Sequence, residues 1–283
     1  TELPRANAII NPKQPGSTYP DADLAGVGIA YKLAQALLRL ERICPMRARN
    51  SMPIQEADLL DVVALGTVAD VAPLVGENRR LVRAGLQQIQ NTKRAGLRAL
   101  LKEAGVSPDK VTAMAIGFYL GPRLNAAGRL ADAMNSYQLL MTSSDQRAQQ
   151  LAAVLGQKNR ERQAKTNELL EQAKAQVAAE GIGDIILIAG KQYLAGVAGL
   201  VAGRLTSEFY RPAIVLEVGA HESKASARSI PEFHITQALD QCTELLVRHG
   251  GHAEAAGFTI RNEQWPALCE RLRAIAAAQL GGR

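Results

Sequence analysis

Asp184-Ile-Ile-Leu-Ile-Ala-Gly190, then a helical pattern over 196–210, then Pro212-Ala-Ile-Val-Leu-Glu217 is the stretch on which the fold turns. The two short apolar runs read as strands and the segment between them as a helix, and such a crossover usually lays its strands parallel. Toward the C-terminus, a strand containing Ala225 to Ile230, a helix from Thr236 to Val247, a strand at Ala256-Gly257-Phe258-Thr259-Ile260 and a terminal helix from Gln264 complete an α/β unit over 181–283.

Toward the N-terminus, residues 144–180 give the longest helical pattern, rich in Ala, Gln, Glu, Lys and Leu, free of proline, and ending at Gly181-Ile182-Gly183. A long polar helix of this kind suits a bridge between domains. Residues 1–143 then form a separate unit. Ala8 to Gly16 reads as a strand running into a loop, and Leu24 to Leu40 as a helix capped by Asp23. Glu56 to Ala69 reads as an apolar helix that turns at Val71-Ala72-Pro73, and 77–90 and 94–104 as basic helices. The apolar segment 111–120 is expected to stop at Gly121-Pro122.

At 283 residues and 47% apolar content, the chain can bury a core in each unit. No uncharged apolar run reaches about 18 residues, and Thr1-Glu2-Leu3-Pro4-Arg5 lacks the plan of a secretory leader, so a cytoplasmic location is expected. The chain starts at Thr1 rather than Met, as a fragment or processed product would. Cys44, Cys242 and Cys269 are too few and too scattered for a disulfide framework or a zinc site, and read as buried small residues. The 33 Lys and Arg against 27 Asp and Glu leave a charge of +6, which favours a polyanionic partner.

Five segments carry chemistry. In Leu65-Gly66-Thr67-Val68-Ala69-Asp70, one carboxylate stands among small apolar residues, as a metal ligand, a helix-terminal cap or a salt-bridge partner would. Gly121-Pro122-Arg123-Leu124-Asn125-Ala126-Ala127-Gly128-Arg129 offers two guanidinium groups that pair with phosphate in a two-pronged geometry, or that form a solvated helix face. Arg79, Arg80, Arg83, Lys93, Arg94, Arg98 and Lys102 run without an intervening acid and would attract a nucleic-acid backbone through counterion release, or simply line an exposed face. Aromatics make up only 4% of the chain, so phosphate contacts rather than base stacking would dominate. Ser226-Ala227-Arg228-Ser229 places two hydroxyls and a guanidinium at a strand end. Gly250-Gly251-His252-Ala253-Glu254-Ala255-Ala256-Gly257 sets paired glycines before a histidine, a plausible phosphate cup. His221, His234 and His249 have no comparable setting and read as surface or core residues. Asp21-Ala22-Asp23 reads as a capping pair rather than a metal site.

Taken in order and spacing, Ala8 to Gly16, Gly66 to Leu74, Gly121 to Leu130, Ser226 to Ser229 and Gly250 to Gly257 resemble the RecJ family of the DHH phosphoesterase superfamily across essentially the whole chain. The resemblance implies an α/β fold in which a partial DHH domain (1–143) is joined by a long helix (144–180) to a DHH-associated substrate-binding domain (181–283). It implies part of a 5′-to-3′ single-stranded DNA exonuclease of repair and recombination that uses Mn²⁺ or Mg²⁺. Two ions would clamp the attacking and leaving oxygens. Asp70 matches a metal-ligand aspartate and His252 the histidine facing the scissile phosphate. Arg123, Asn125, Arg129, Ser226, Arg228, Gly250 and Gly251 match positions that hold DNA or its 5′-phosphate. Single-stranded DNA with a 5′ end is the implied substrate, and a single-strand-binding protein or a helicase the implied protein partner.

Two departures qualify this. No Asp-His-His string occurs, so the chain holds one ligand of a metal site that needs several, and is expected to be inactive alone. Tyr193-Leu194 stands where the family has Trp-His. The competing readings are an oligonucleotide or cyclic-dinucleotide phosphodiesterase of the same superfamily and a non-catalytic DNA-binding module.

Overall fold

The N-terminal half is built from helices because its apolar residues recur at helical spacing, and the computed structural model places them so. It describes residues 5–43, 54–130 and 133–281, the side chains of 127–130 excepted. Gly26–Ile43 (α1), Leu60–Ala69 (α2), Gly76–Gln90 (α3) and Ala95–Ala104 (α4) come first. Apolar on nearly every side, α2 buries Val63, Ala64 and Leu65, as a central helix must. One buried carboxylate, Asp61, enters this core and is matched there: Thr92 Oγ1 donates to it at 2.8 Å, and Arg94 Nε lies 3.0 Å from its Oδ1.

Two expectations fail in this half. Ala8 to Gly16 forms turns, closed by Gln14 N to Asn11 O and Ser17 N to Gln14 O, and no strand. A strand needs a neighbouring ladder, and the described residues of this unit contain none. Nor does the helix stop at Gly121-Pro122. Ala113–Ala115 (α5) continues through a π turn at Ile116–Leu120 into Gly121–Leu130 (α6). Gly121 N reaches back five residues to Ile116 O, so the ladder is already widened where Pro122, lacking an N–H, enters it. Met134–Met141 (α7) follows, its Leu139 buried with Leu97, Leu100, Ile116 and Leu120.

The chain divides into two compact units, Thr1–Asn159 and Arg160–Arg283, and the boundary falls inside the 36-residue helix Asp145–Glu180 (α8) rather than at its ends. Leu151 and Leu155 of its first half belong to the first unit's core. Leu169, Ala173 and Val177 of its second half pack with the second unit's sheet.

In that second unit, Ile186–Gly190 (β1) and Ala213–Glu217 (β2) pair in parallel around Ala195–Phe209 (α9), as the crossover pattern implied. Glu222–Arg228 (β3), Ile235–Asp240 (α10), Leu246–Gly251 (β4), Ala255–Arg261 (β5) and Trp265–Leu280 (α11) complete it, with sheet order β1-β2-β3-β5-β4. Side chains alternate across the sheet. Ile214, Ala225, Ala227 and Phe258 pack with α10 and α11 on one face, while Ile186, Ala213 and Val215 pack with α8 and α9 on the other.

The helix expected over Thr236 to Val247 ends at Asp240, and its last residues instead open β4. Pairing with β5 captures them, and His249 Nε2 meets Asp240 Oδ1 at 2.8 Å behind the turn. Cys242 and Cys269 are buried, and burial pushes the Cys269 thiol up to about 11. Cys44 lies outside the described residues. None of the described helices is long and apolar enough to cross a membrane.

Candidate nucleic-acid interface

Strand pairing gathers the second unit's candidate residues at one end of one sheet face. Ser226 and Arg228 sit two apart on β3 and so share a face, and both lie inside the strand rather than beyond it. Helix α9 passes over them at Gly199, where an added Cβ would stand 3.1 Å from Arg228 Nη2 and 3.5 Å from Ser226 Oγ. Arg228 Nη1 also donates to Ala227 O at 2.8 Å, which fixes its plane.

Register joins these residues to the glycine-histidine segment. Arg228 is opposite Ala255, and His252 N donates to Ala255 O at 2.8 Å. Ser226 is opposite Gly257, which is opposite Gly250. Ser229 N donates to Glu254 O at 2.9 Å, pinning the β4–β5 turn to the end of β3. Two motifs about twenty residues apart thereby become two cross-strand rows.

The form of the glycine segment differs from the loop expected. Gly250 and Gly251 lie in the edge strand β4, and His252 begins its hairpin turn. Gly251 is needed for close approach, since a Cβ there would meet Ala255 O at 2.3 Å. The turn takes up the His252 N–H, and Gly250 leaves a bare floor beside it. His252 is exposed, its carbonyl accepting from Thr236 Oγ1 at 2.7 Å. His249 pairs with Asp240, and His234 caps α10 by accepting from Gln237 N at 3.2 Å. Tyr193 is fully buried and reaches Gln176 Oε1 at 3.3 Å, with its phenol held above the usual range by burial.

In the first unit, Asp70 is exposed at the end of α2, so it bears no burial cost of the kind its apolar neighbours suggested. Its backbone is held by a double closure, Val71 N to Val68 O and Ala72 N to Thr67 O, that puts Val71 in the left-handed region at φ 57. Asp70 and Asn125 line the same cavity of about 450 Å³, together with Leu65, Gly66 and Leu124. Two residues before Asn125, Arg123 turns its Nη1 to Tyr119 O at 2.7 Å, in the π turn. Arg129 lies on α6, and its side chain is outside the described residues.

Of the seven cations in the basic run, Arg94 is tied to Asp61 and Arg98 to Asp145, while Arg79, Arg80, Arg83, Lys93 and Lys102 are exposed. Asp21 proves to be a cap, although of a different helix, since its Oδ2 accepts from Glu77 N at 2.7 Å in the first turn of α3. Asp23 pairs with Lys13 three residues before α1 and does not cap it.

The described residues do not make up a complete metal centre by themselves. Among the described residues no three His, Cys, Asp or Glu side chains come together, and one carboxylate cannot fix a hard cation.

A five-stranded mixed sheet flanked by helices, with a glycine-histidine hairpin beside a Ser-x-Arg strand, defines the class: residues 175–278 match the DHHA1 domain. The particular relatives are RecJ proteins. The single-stranded-DNA-specific exonuclease RecJ of Bacillus subtilis (strain 168) is 41% identical over 278 residues, covering 97% of this chain and 34% of the relative. The crystal structure of Thermus thermophilus RecJ in complex with Mn²⁺ superposes with TM-score 0.79 at 33% identity, covering 92% of this chain and 37% of that one. Its complex with Mg²⁺ gives 0.78 at 31%, covering 92% and 39%. The chain is thus similar to one segment of these RecJ proteins, and spans about a third of their length.

Proposed function

We propose that this chain is the part of a metal-dependent 5′-to-3′ single-stranded DNA exonuclease that grips the substrate's phosphate backbone, and that it does not hydrolyse DNA by itself. The observation that carries the reading is that strand register brings Ser226, Arg228, Gly250 and His252 to one end of the sheet, with Ser226 and Arg228 partly exposed beside α9. A guanidinium held in plane and a hydroxyl one step along the strand suit a phosphate, and the bare glycine floor admits a sugar-phosphate chain close to the backbone. His252, exposed at the rim, is the group that would donate to a phosphate oxygen. Asp70, beside Asn125, is the carboxylate this segment would lend to a Mn²⁺ or Mg²⁺ centre completed by other ligands.

The test uses the purified chain and fluorescence anisotropy with 5′-phosphorylated and 5′-hydroxyl strands. Arg228→Ala should weaken binding to the phosphorylated strand by about tenfold and to the hydroxyl strand by less. Equal loss on both would remove Arg228 from the phosphate site. With Mn²⁺ added, no turnover is expected, and robust cleavage would overturn the division of labour. Tighter binding of dinucleotides than of long strands would instead favour a short-oligonucleotide phosphodiesterase.

A further inference from the structure

The same sheet face continues past Ser226 to two more cations. Register sets Lys224 opposite Thr259 and Thr259 opposite Arg248, so the three form a row across β3, β5 and β4. Arg248 Nε donates to Thr259 Oγ1 at 3.1 Å, which lays the guanidinium over this face. Both cations are exposed, and with Ala195, Gly257 and Thr259 they line a cavity of about 320 Å³.

The nearest acid in the row, Glu217, is opposite Lys224 on β2, yet its Oε2 accepts from Ala195 N at 3.0 Å. No ion pair joins any acid to Lys224 or Arg248 among the described residues. Two cations held together without a counter-charge call for an anionic ligand. Between this row and Arg228 lies the row Ser226, Gly257, Gly250, where a Cβ on Gly250 would meet nothing within 4 Å and one on Gly257 only Ala225 O at 3.5 Å.

We propose that Lys224 and Arg248 hold the phosphodiester adjacent to the group held by Ser226 and Arg228, so that this face grips two successive phosphates of one nucleic-acid strand. The proposal rests on the reading of Ser226 and Arg228 given above. Ser226 lies one two-residue step of about 7 Å along β3 from Lys224 and Arg228 lies two, so a phosphate held at Ser226 and Arg228 would be followed along an extended sugar-phosphate chain by one within reach of Lys224. The rows carry no aromatic side chain, and Phe258 turns to the opposite face. The contact is therefore to backbone rather than to bases, and is independent of sequence.

The experiment is an equilibrium titration of the purified chain with 5′-phosphorylated oligothymidylate and with the same strand carrying one neutral methylphosphonate at its first internucleotide linkage. The unsubstituted chain should bind the neutralised strand about tenfold more weakly. Lys224→Ala combined with Arg248→Ala should bind both strands equally, with a salt slope less steep by about 0.7, while still preferring 5′-phosphate to 5′-hydroxyl. Lys224→Glu, at an exposed position, should penalise the charged strand more than the neutral one, and circular dichroism checks that each variant folds. A double variant that still discriminates between the strands as the parent does overturns the proposal. Failure of the wider reading is distinguishable: the parent itself would then ignore the 5′-phosphate, or bind neither strand.

Discussion

Val71 is the residue where sequence and conformation disagree most. A β-branched side chain in the left-handed region is strained, because its Cβ crowds the following carbonyl, and no side-chain burial offsets this since Val71 is 86% exposed. The strain sits beside Asp70, whose position depends on the same double closure. Val71→Gly should relieve it and raise stability by about 1 kcal/mol in a denaturant titration. An unchanged midpoint would show that the left-handed turn is not held in solution. Asp61 illustrates the opposite case. Nothing in the apolar stretch from Leu59 to Leu65 marks it as the buried acid, because its partners Thr92 and Arg94 arrive from more than thirty residues away.

Between elements, the ties are few and specific. Helices α1 and α3 are joined through Glu77, which accepts from Lys32 Nζ at 2.8 Å and from Tyr19 Oη at 2.5 Å. Partial burial pushes the Glu77 carboxyl up, but the bonds from Lys32 and Tyr19 outweigh it and the group titrates below its ordinary value of 4.5. A depressed folded value means the stabilisation is fully present above about pH 4.5 and is lost as the pH falls through the lower folded value. Stability of the first unit should therefore fall on acidification in that window, and Glu77→Gln should flatten the fall, as followed by thermal melts between pH 6 and 3. A Gln variant with the same acid limb as the parent would assign the effect elsewhere. The β4–β5 hairpin makes the complementary point. Helix propensity continues past Asp240, but the edge of β5 offers a ladder that 246–251 can complete only by extending.

At the scale of the molecule, each unit carries its own exposed cations. Arg79, Arg80 and Arg83 are exposed on α3, in a different unit from Arg228. Replacing all three by alanine should weaken single-stranded DNA binding to a similar extent with 5′-phosphate and 5′-hydroxyl ends, and reduce the salt slope by about 0.7 for each phosphate that these arginines neutralise. An unchanged slope would identify them as a solvated face. The contrast with Arg228→Ala separates general attraction from end recognition.

The strand, helix, strand pattern over 184–217, the long helix at 145–180 and the buried cysteines Cys242 and Cys269 were legible because each depends on local periodicity or residue type. So were the motifs themselves, whose order along the chain already marked the resemblance to RecJ. Tertiary structure alone decided which residues stand side by side: Ser226 with Gly257 and Gly250, Lys224 with Arg248, Asp70 with Asn125, Asp61 with Arg94. It also turned the expected glycine loop into an edge strand and carried a helix through Gly121-Pro122. The physical reason is common to all of these. A propensity belongs to a few neighbouring residues, whereas strand register, burial of a charge and the widening of a helical turn are settled by groups that meet only after the chain has folded.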